Sequence, residues 1–404
     1  MRLTKISLAT LVALGAFSSV ASATPLEEAI KNVDLSGFAR YRYTNTHNKD
    51  TEQSDVTKKS KANHQFRMVT NFKAAIDDNF FGVIGLRYNS ADGSGDNAGT
   101  GTDKTDTTTS FNVHQFYLGY NVGGTTITAG KQAIGSYFTD DAVGTGVRVV
   151  NKDIEGLTLT ALAFDALEGS DWYNGELYET ATGSFGTYDV GNLYAAGIAG
   201  SYDPINFQLW YASLTNLADL LAADVSANFA ITNDISLGAR LNYVNSTVDA
   251  SAKNIGYNDG NFYAGELSTS LFGLDLAGGY IGWKSQDKAI SAFSFEDQGD
   301  LIDVGEDVFD WTHAEGKGNF FYATSAYAFD KFTVGLDYVK GNIKTAGANN
   351  QDVKEKIEEF VPRFAYQYSK KLKFSSFYSF QTHKFANDEK KKEDKFRFEA
   401  KYSF

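Results

Sequence analysis

The chain has no cysteine, which removes disulfides, thiolate metal sites and a cysteine nucleophile together. Proline is almost missing as well, with 3 in 404 residues. So few breakers, beside 38 glycines, suit long strands joined by tight turns, because proline cannot donate within a ladder. Beyond the amino-terminal segment, no stretch approaches the run of about 20 apolar residues that a spanning helix needs. Basic residues are in deficit: Lys and Arg number 37 against 50 Asp and Glu, for a net charge of −13. That balance argues against nucleic acid as a partner and favours an interior that attracts cations.

What is abundant is aromatic, with 31 Phe and 23 Tyr. The final segment arranges them by parity: Phe396, Phe398, Ala400, Tyr402 and Phe404 alternate with Lys395, Arg397, Glu399, Lys401 and Ser403. Side chains of a strand alternate faces, so this segment has one apolar and one charged face. A soluble edge strand would rarely end on an exposed phenylalanine, whereas the last strand of an outer-membrane barrel closes the sheet. The mean hydropathy of −0.31 does not oppose this, since lipid-facing and lumen-facing residues cancel in such a barrel.

The amino terminus reads as an export signal. Arg2 and Lys5 precede a mostly apolar stretch from Ile6 to Val20, and Ala21-Ser22-Ala23 fits a small-x-small cleavage site. Residues 1–23 are therefore expected to be a signal peptide and 24–404 the barrel domain. A permanent anchor is disfavoured because the stretch is short and contains Ser7, Thr10, Ser18 and Ser19. Removal of Arg2 and Lys5 takes the net charge from −13 to −15.

Candidate strands fill the rest, separated alternately by short and long connections. The short ones carry turn chemistry: Asp77-Asp78-Asn79, Gly123-Gly124, Asp153 to Gly156, Asp203-Pro204, Thr232-Asn233-Asp234, Gly273, Asp330-Lys331 and Ser369-Lys370. The long ones fall near 47–61, 89–109, 132–144, 165–190, 214–218, 248–259, 285–317, 345–356 and 385–393. Eight turns and nine loops make seventeen connections and hence eighteen strands. The fold class is thus all-β, a transmembrane antiparallel β-barrel with short periplasmic turns and long external loops. A barrel of that width is too large for side chains to fill and leaves an aqueous channel.

The arginines beyond the leader are Arg40, Arg42, Arg67, Arg87, Arg148, Arg240, Arg363 and Arg397. Each lies in a predicted strand on the parity opposite its aromatic or aliphatic neighbours. An arginine facing lipid at midplane costs roughly 2–4 kcal/mol, so all are expected to line the pore. They either set up a basic wall or satisfy loop carboxylates. The loops hold the opposing charge: residues 285–317 contain Glu296, Asp297, Asp300, Asp303, Glu306, Asp307, Asp310 and Glu315, and residues 165–190 contain Asp165, Glu168, Asp171, Glu176, Glu179 and Asp189. A charge run is commonly a solvated loop face. Folded inward, however, either loop would narrow the pore and favour cations, with Glu296 and Asp297 as lining residues.

Other motifs are weak. Asp92-Gly-Ser-Gly-Asp96-Asn97 has the look of a calcium loop but lacks the distal glutamate. Gly124 to Lys131 departs from phosphate-loop spacing and reads as strand. The five histidines stand apart in sequence, and no Gly-x-Ser-x-Gly cue marks a hydrolase, so an enzyme is not expected.

The chain resembles the Campylobacter-type major outer membrane porin family. The resemblance rests on Thr24-Pro-Leu-Glu-Glu-Ala-Ile-Lys31, Asp34-Leu-Ser-Gly37, Arg40-Tyr-Arg-Tyr43, Gly130-Lys-Gln132, Thr139-Asp140, Gly144-Thr-Gly146, Gly156-Leu-Thr-Leu159, Gly191-Asn-Leu-Tyr194, Gly200-Ser-Tyr-Asp203 and Glu296-Asp-Gln-Gly299. It implies an eighteen-stranded homotrimer forming a weakly cation-selective diffusion channel for small hydrophilic solutes, embedded in outer-membrane lipid and lipopolysaccharide. It further implies that no cofactor is required, but that Ca2+ can sit at the constriction on Asp140, Asp165 and the backbone near Phe295. Asp165 shares parity with Leu157 and Leu159, so a strand bulge, or a position above the bilayer, is needed there. The alternatives are a substrate-specific channel that binds an anionic or sugar solute on an arginine ladder, and an outer-membrane protease or lipase. A TonB-type receptor would need a plug domain and more strands.

Overall fold

The structure is a computed structural model that describes residues 33–49, 60–95, 105, 107–168, 190–306, 308, 311–347, 352–386 and 389–404. The leader and the Thr24–Lys31 match lie outside the described residues, as do Asp96 and Asn97 of the candidate calcium loop and positions 169–189.

Among the described residues, twenty strands run in chain order. The first half comprises β1 (Val33–Asn48), β2 (Ser60–Ala75), β3 (Phe80–Gly95), β4 (Asn112–Val122), β5 (Thr125–Ala133), β6 (Val143–Asn151), β7 (Leu157–Leu167), β8 (Leu193–Tyr202), β9 (Ile205–Leu214) and β10 (Ala218–Thr232). The second half comprises β11 (Ile235–Val248), β12 (Gly260–Leu271), β13 (Leu274–Ser285), β14 (Ile290–Ala292), β15 (His313–Glu315), β16 (Lys317–Phe329), β17 (Phe332–Ala346), β18 (Asp352–Gln367), β19 (Leu372–Lys384) and β20 (Lys390–Ser403). Eighteen of them form one antiparallel sheet; β14 and β15 form a separate small hairpin inside the connection between β13 and β16. A four-residue helix, α1 (Ala250–Lys253), sits in the connection after β11.

Every barrel strand pairs with its sequence neighbour, and β1 also pairs with β20, so the sheet has no edge. At the seam Gly37 N–H donates to the Phe404 carbonyl and Phe404 N–H to the Gly37 carbonyl, both at 3.0 Å. A side chain at Gly37 would meet the Val69 carbonyl oxygen at 2.0 Å, so the close approach of β1 and β2 there requires glycine.

All eight short turns occur where turn chemistry places them. Asp77 shows why: its Oδ1 accepts the N–H groups of Asn79 and Phe80 at 2.8 and 2.7 Å, closing the chain on itself. Two long connections differ in extent from expectation. β3 runs on to Gly95 because its ladder with β2 continues to Lys61, and β9 passes to β10 through residues 215–217 alone.

Parity explains the two faces. Leu241 is 65% exposed and Leu267 71%, both outward, while Asn242 and Val244 on the other parity are buried. Outward rings gather at two levels. At the turn end, Phe332 stacks on Tyr366 (4.8 Å) and Tyr402 packs beside Phe404 (5.9 Å). At the loop end, Tyr88 meets Phe111 (5.4 Å) and Phe360 meets Phe380 (6.2 Å). Two aromatic girdles around an apolar band are the signature of a membrane-spanning barrel.

The packed core lies inside the barrel but against one side of it. Tyr137, Phe138, Phe293, Phe295 and Trp311, all from loops, pack on Phe164, Trp210, Leu220, Val244, Phe262, Ile281, Trp283 and Phe320 of the wall.

Candidate functional site

Two connections fold into the barrel, and apolar residues hidden among their charges drive them there. In the segment between β13 and β16, Phe293, Ser294, Phe295, Leu301, Ile302, Trp311 and Thr312 are buried. Phe262 of the wall packs against both Phe293 (5.8 Å) and Trp311 (5.7 Å). In the segment between β5 and β6, Ile134, Tyr137 and Phe138 are buried in the same cluster. The two segments bind each other through backbone: Phe295 N–H donates to Phe138 O at 2.7 Å, and Asp300 N–H to Tyr137 O at 2.9 Å.

The longer segment then crosses the lumen. On one side Ile302 N–H donates to Asn242 Oδ1 at 2.8 Å, and Arg240 Nη2 donates to the Asp300 carbonyl at 2.6 Å. On the far side Glu306 N–H donates to Glu359 Oε2 at 3.0 Å, and Arg363 Nη2 donates to the Gly305 carbonyl at 2.9 Å. A strap anchored on β11 at one end and on β18 at the other narrows the bore. On its turn side lies a cavity of about 800 Å³ whose lining includes Arg42, Asp303, Glu306, Asp337, Arg363 and Arg397.

The arginines reach into this interior with carboxylates on most of them. Glu399 takes Arg42 at 2.8 Å and Arg40 at 3.9 Å. Arg67 pairs with Asp141 at 2.6 Å, and Arg87 with Glu168. Arg240 binds Asp224 at 2.6 Å, and Arg363 binds Asp337 at 2.5 Å and also Glu306. Arg397 lies 3.5 Å from Glu306 and over the Phe377 ring. Arg148 lies beside the turn of the inward loop, where a side chain at Gly135 would strike its guanidinium at 2.3 Å. The partners of these arginines are carboxylates of both the loops and the wall. Wall residues Asp224, Asp337 and Glu399 supply part of the charge that the sequence reading looked for in loops alone. Their strand parity, opposite Val225, Leu336 and Phe398, was the signal that could have found them.

The loop acids divide. Glu296 is buried, and its Oε2 accepts the N–H groups of Asp140 (2.7 Å) and Ala142 (3.1 Å), tying the two inward loops together. Burial, helped by Asp141 and Asp297, pushes its carboxyl up to about 8, against the two donors. Asp140, Asp297, Asp300 and Asp303 are exposed to the lumen side. Burial first, and then the nearby carboxylates of Asp141 and Asp300, raise the Asp140 carboxyl above its ordinary value. Asp307 and Asp310 lie outside the described residues, as do Asp171, Glu176, Glu179 and Asp189.

At the implied calcium ligands the strand does bulge. The β6–β7 register shifts between Thr145 and Gly146, leaving Asp165 as the extra residue, with its side chain exposed. Phe295 is buried beneath the Asp140 loop. Two carboxylates and a carbonyl are oxygen donors of the hard kind calcium takes, but fewer than the six to eight it uses. Among the described residues, no three His, Asp or Glu side chains gather closely enough to hold a metal ion.

The whole chain, residues 1–404, matches the family model of the Campylobacter major outer membrane protein. The chain belongs to that family. It is an outer-membrane porin channel, in keeping with the closed barrel and its two girdles. No curated protein matches at a significant level. Among solved structures, a BenF-like porin from Pseudomonas fluorescens Pf-5 superposes with a TM-score of 0.72 at 17% identity, covering 93% of this chain and 99% of that one. Pseudomonas aeruginosa OccK5 (OpdH) gives 0.68 at 14% identity, over 93% and 99%. Acinetobacter baumannii OccAB3 gives 0.69 at 13%, over 92% and 99%. At these identities the likeness is one of fold.

Proposed function

We propose that this porin passes ions and small hydrophilic solutes by passive diffusion, with a weak preference for cations and no catalytic residue. The observation that carries the reading is the charge balance at the strap. Arg40, Arg42, Arg67, Arg87, Arg240, Arg363 and Arg397 each have a carboxylate within 4 Å, so little positive field is left to hold an anion. The strap and its partner loop meanwhile present Asp140, Asp297, Asp300 and Asp303 to the passage. Coulomb attraction in a narrow, low-dielectric bore then favours cations over anions of equal size.

Neutralising Arg40, Arg42 and Arg67 together tests this, because Glu399 and Asp141 would lose their partners. The reversal potential in a salt gradient should move toward stronger cation preference; an unchanged value would remove these residues from the conduction path. The substrate-specific alternative has one observation in its favour: Arg42, Arg363 and Arg397 line the same cavity. Saturation of the current by one class of anionic or sugar solute would decide for it. The reading extends to cleavage of residues 1–23 and to a homotrimer, checked by the mature amino-terminal sequence and by the mass of the detergent-solubilised complex. Calcium at Asp140, Asp165 and the Phe295 carbonyl belongs to the same proposal. Titration calorimetry with calcium on the native protein and on Asp140→Asn would decide that point.

A further inference from the structure

The outer face of the barrel carries a second ordered charge pattern, unrelated to the channel. At the loop end, Lys284, Lys317, Lys344 and Lys354 lie directly opposite one another across β13, β16, β17 and β18. One step nearer the girdle, Lys356, Lys384 and Lys390 do the same across β18, β19 and β20. These lysines face outward, because each is an even number of residues from an outward ring of its own strand: Tyr280, Phe321, Tyr338, Phe360, Phe380 and Phe396.

Like charges placed directly across a sheet repel, so two such rows in adjacent register call for a shared anion. Among the described residues, carboxylates offset these rows only at a distance, Asp352 acting on Lys344 and Glu358 on Lys384. No carboxylate among the described residues forms a salt bridge with any of the seven. The outward acids of this rim are engaged elsewhere: Asp352 with Lys288, Glu358 with Lys340 (3.4 Å), and Asp394 with Lys49 and Tyr378. The wall from β6 to β12 contains no lysine.

We propose that this belt is a docking surface for the phosphate groups of an anionic lipid in the leaflet on the loop side. The assignment rests on the outer-membrane reading. Neighbouring strands lie about 5 Å apart, so adjacent lysines can share one phosphate through charge-assisted hydrogen bonds. The exposed rings of Phe360 and Phe380 below the lysines provide an apolar wall for acyl chains of the same lipid.

Native mass spectrometry of the purified full-length protein with bis-phosphorylated lipid A tests the surface. Lys356→Gln/Lys384→Gln/Lys390→Gln should weaken retention on the order of tenfold or more, and native protein should lose as much when the probe is dephosphorylated lipid A. The corresponding triple Lys→Arg variant should retain the lipid, which separates charge from folding. Equal retention by the Gln variant, equal retention of the dephosphorylated lipid, or displacement by millimolar inorganic phosphate would overturn the proposal. Single-channel conductance, measured on the same preparations and unchanged in the variants, separates failure of this surface from failure of the channel reading.

Discussion

The two halves of the barrel wall solve different problems with the same strand geometry. From β7 to β13 many inward positions are apolar, with Phe164, Trp210, Leu220, Val244, Phe262 and Ile281 covered by the inward loops, and the Arg240–Asp224 pair is the main charged exception. From β17 through the seam to β1 they include Asp337, Arg363, Arg397, Glu399, Arg40 and Arg42, which face water and one another, beside a smaller apolar set of Val339, Ile357 and Val361. An inward position therefore takes its chemistry from what lies across the lumen. Where a loop packs, the wall behaves like the core of a soluble domain. Where water remains, charges must be paired, because removing one partner of a partly buried pair leaves the other uncompensated. The passage is consequently displaced toward the charged half.

The strongest way to break this contrast is to remove what creates it. Replacing residues 291–312 with a short Gly-Ser link should widen the bore and raise single-channel conductance several-fold. A conductance equal to that of the native channel would mean that the strap is not the constriction. A milder version is Trp311→Ala, which empties a fully buried site against Phe262 and should cost about 3–5 kcal/mol, read as a lower unfolding temperature of the detergent-solubilised barrel. On the charged half, Glu306→Gln removes the carboxylate between Arg363 and Arg397 and should shift the reversal potential toward anions without a comparable loss of stability.

The smallest expected effect is one of pH. Because the Glu296 carboxyl is raised in the folded protein to about 8 from an ordinary 4.5, the folded state holds the extra proton between those values. The contribution of this site to stability is therefore full below pH 4.5 and is lost as pH rises through 8, when a buried charge appears between the two inward loops. Current noise should grow over that upper range, and Glu296→Gln should flatten the response. A native channel whose noise is independent of pH from 6 to 9 would contradict it.

The barrel was legible in the sequence because lipid and water on opposite faces impose a period of two, which strands such as Ile235 to Val248 display. Turn residues such as Asp77 and Gly123 act locally, so they too could be read. The strap could not be read in the same way. Its acids dominate the composition of residues 285–317, while the residues that bury it, Phe293, Phe295 and Trp311, follow no period. Aromatic residues inside a loop otherwise rich in acids were the available sign. Parity also told which way Arg67 and Arg363 point, but not what they meet. Asp141 and Glu306 lie 74 and 57 residues away in sequence, and only the folding of the loops brings them across.

The seam has a kinetic consequence. The Arg42–Glu399 bond joins residues 357 apart, and every other hydrogen bond between β1 and β20 spans a comparable length of chain. Hairpins along the wall can form from neighbours, but this junction meets its full loop-closure cost before it returns anything. Until it forms, β1 and β20 are open edges with unsatisfied backbone groups and an apolar face, the state most exposed to mispairing with another chain. Closure of this one junction is the step that carries the largest loop-closure cost and removes the last open edges.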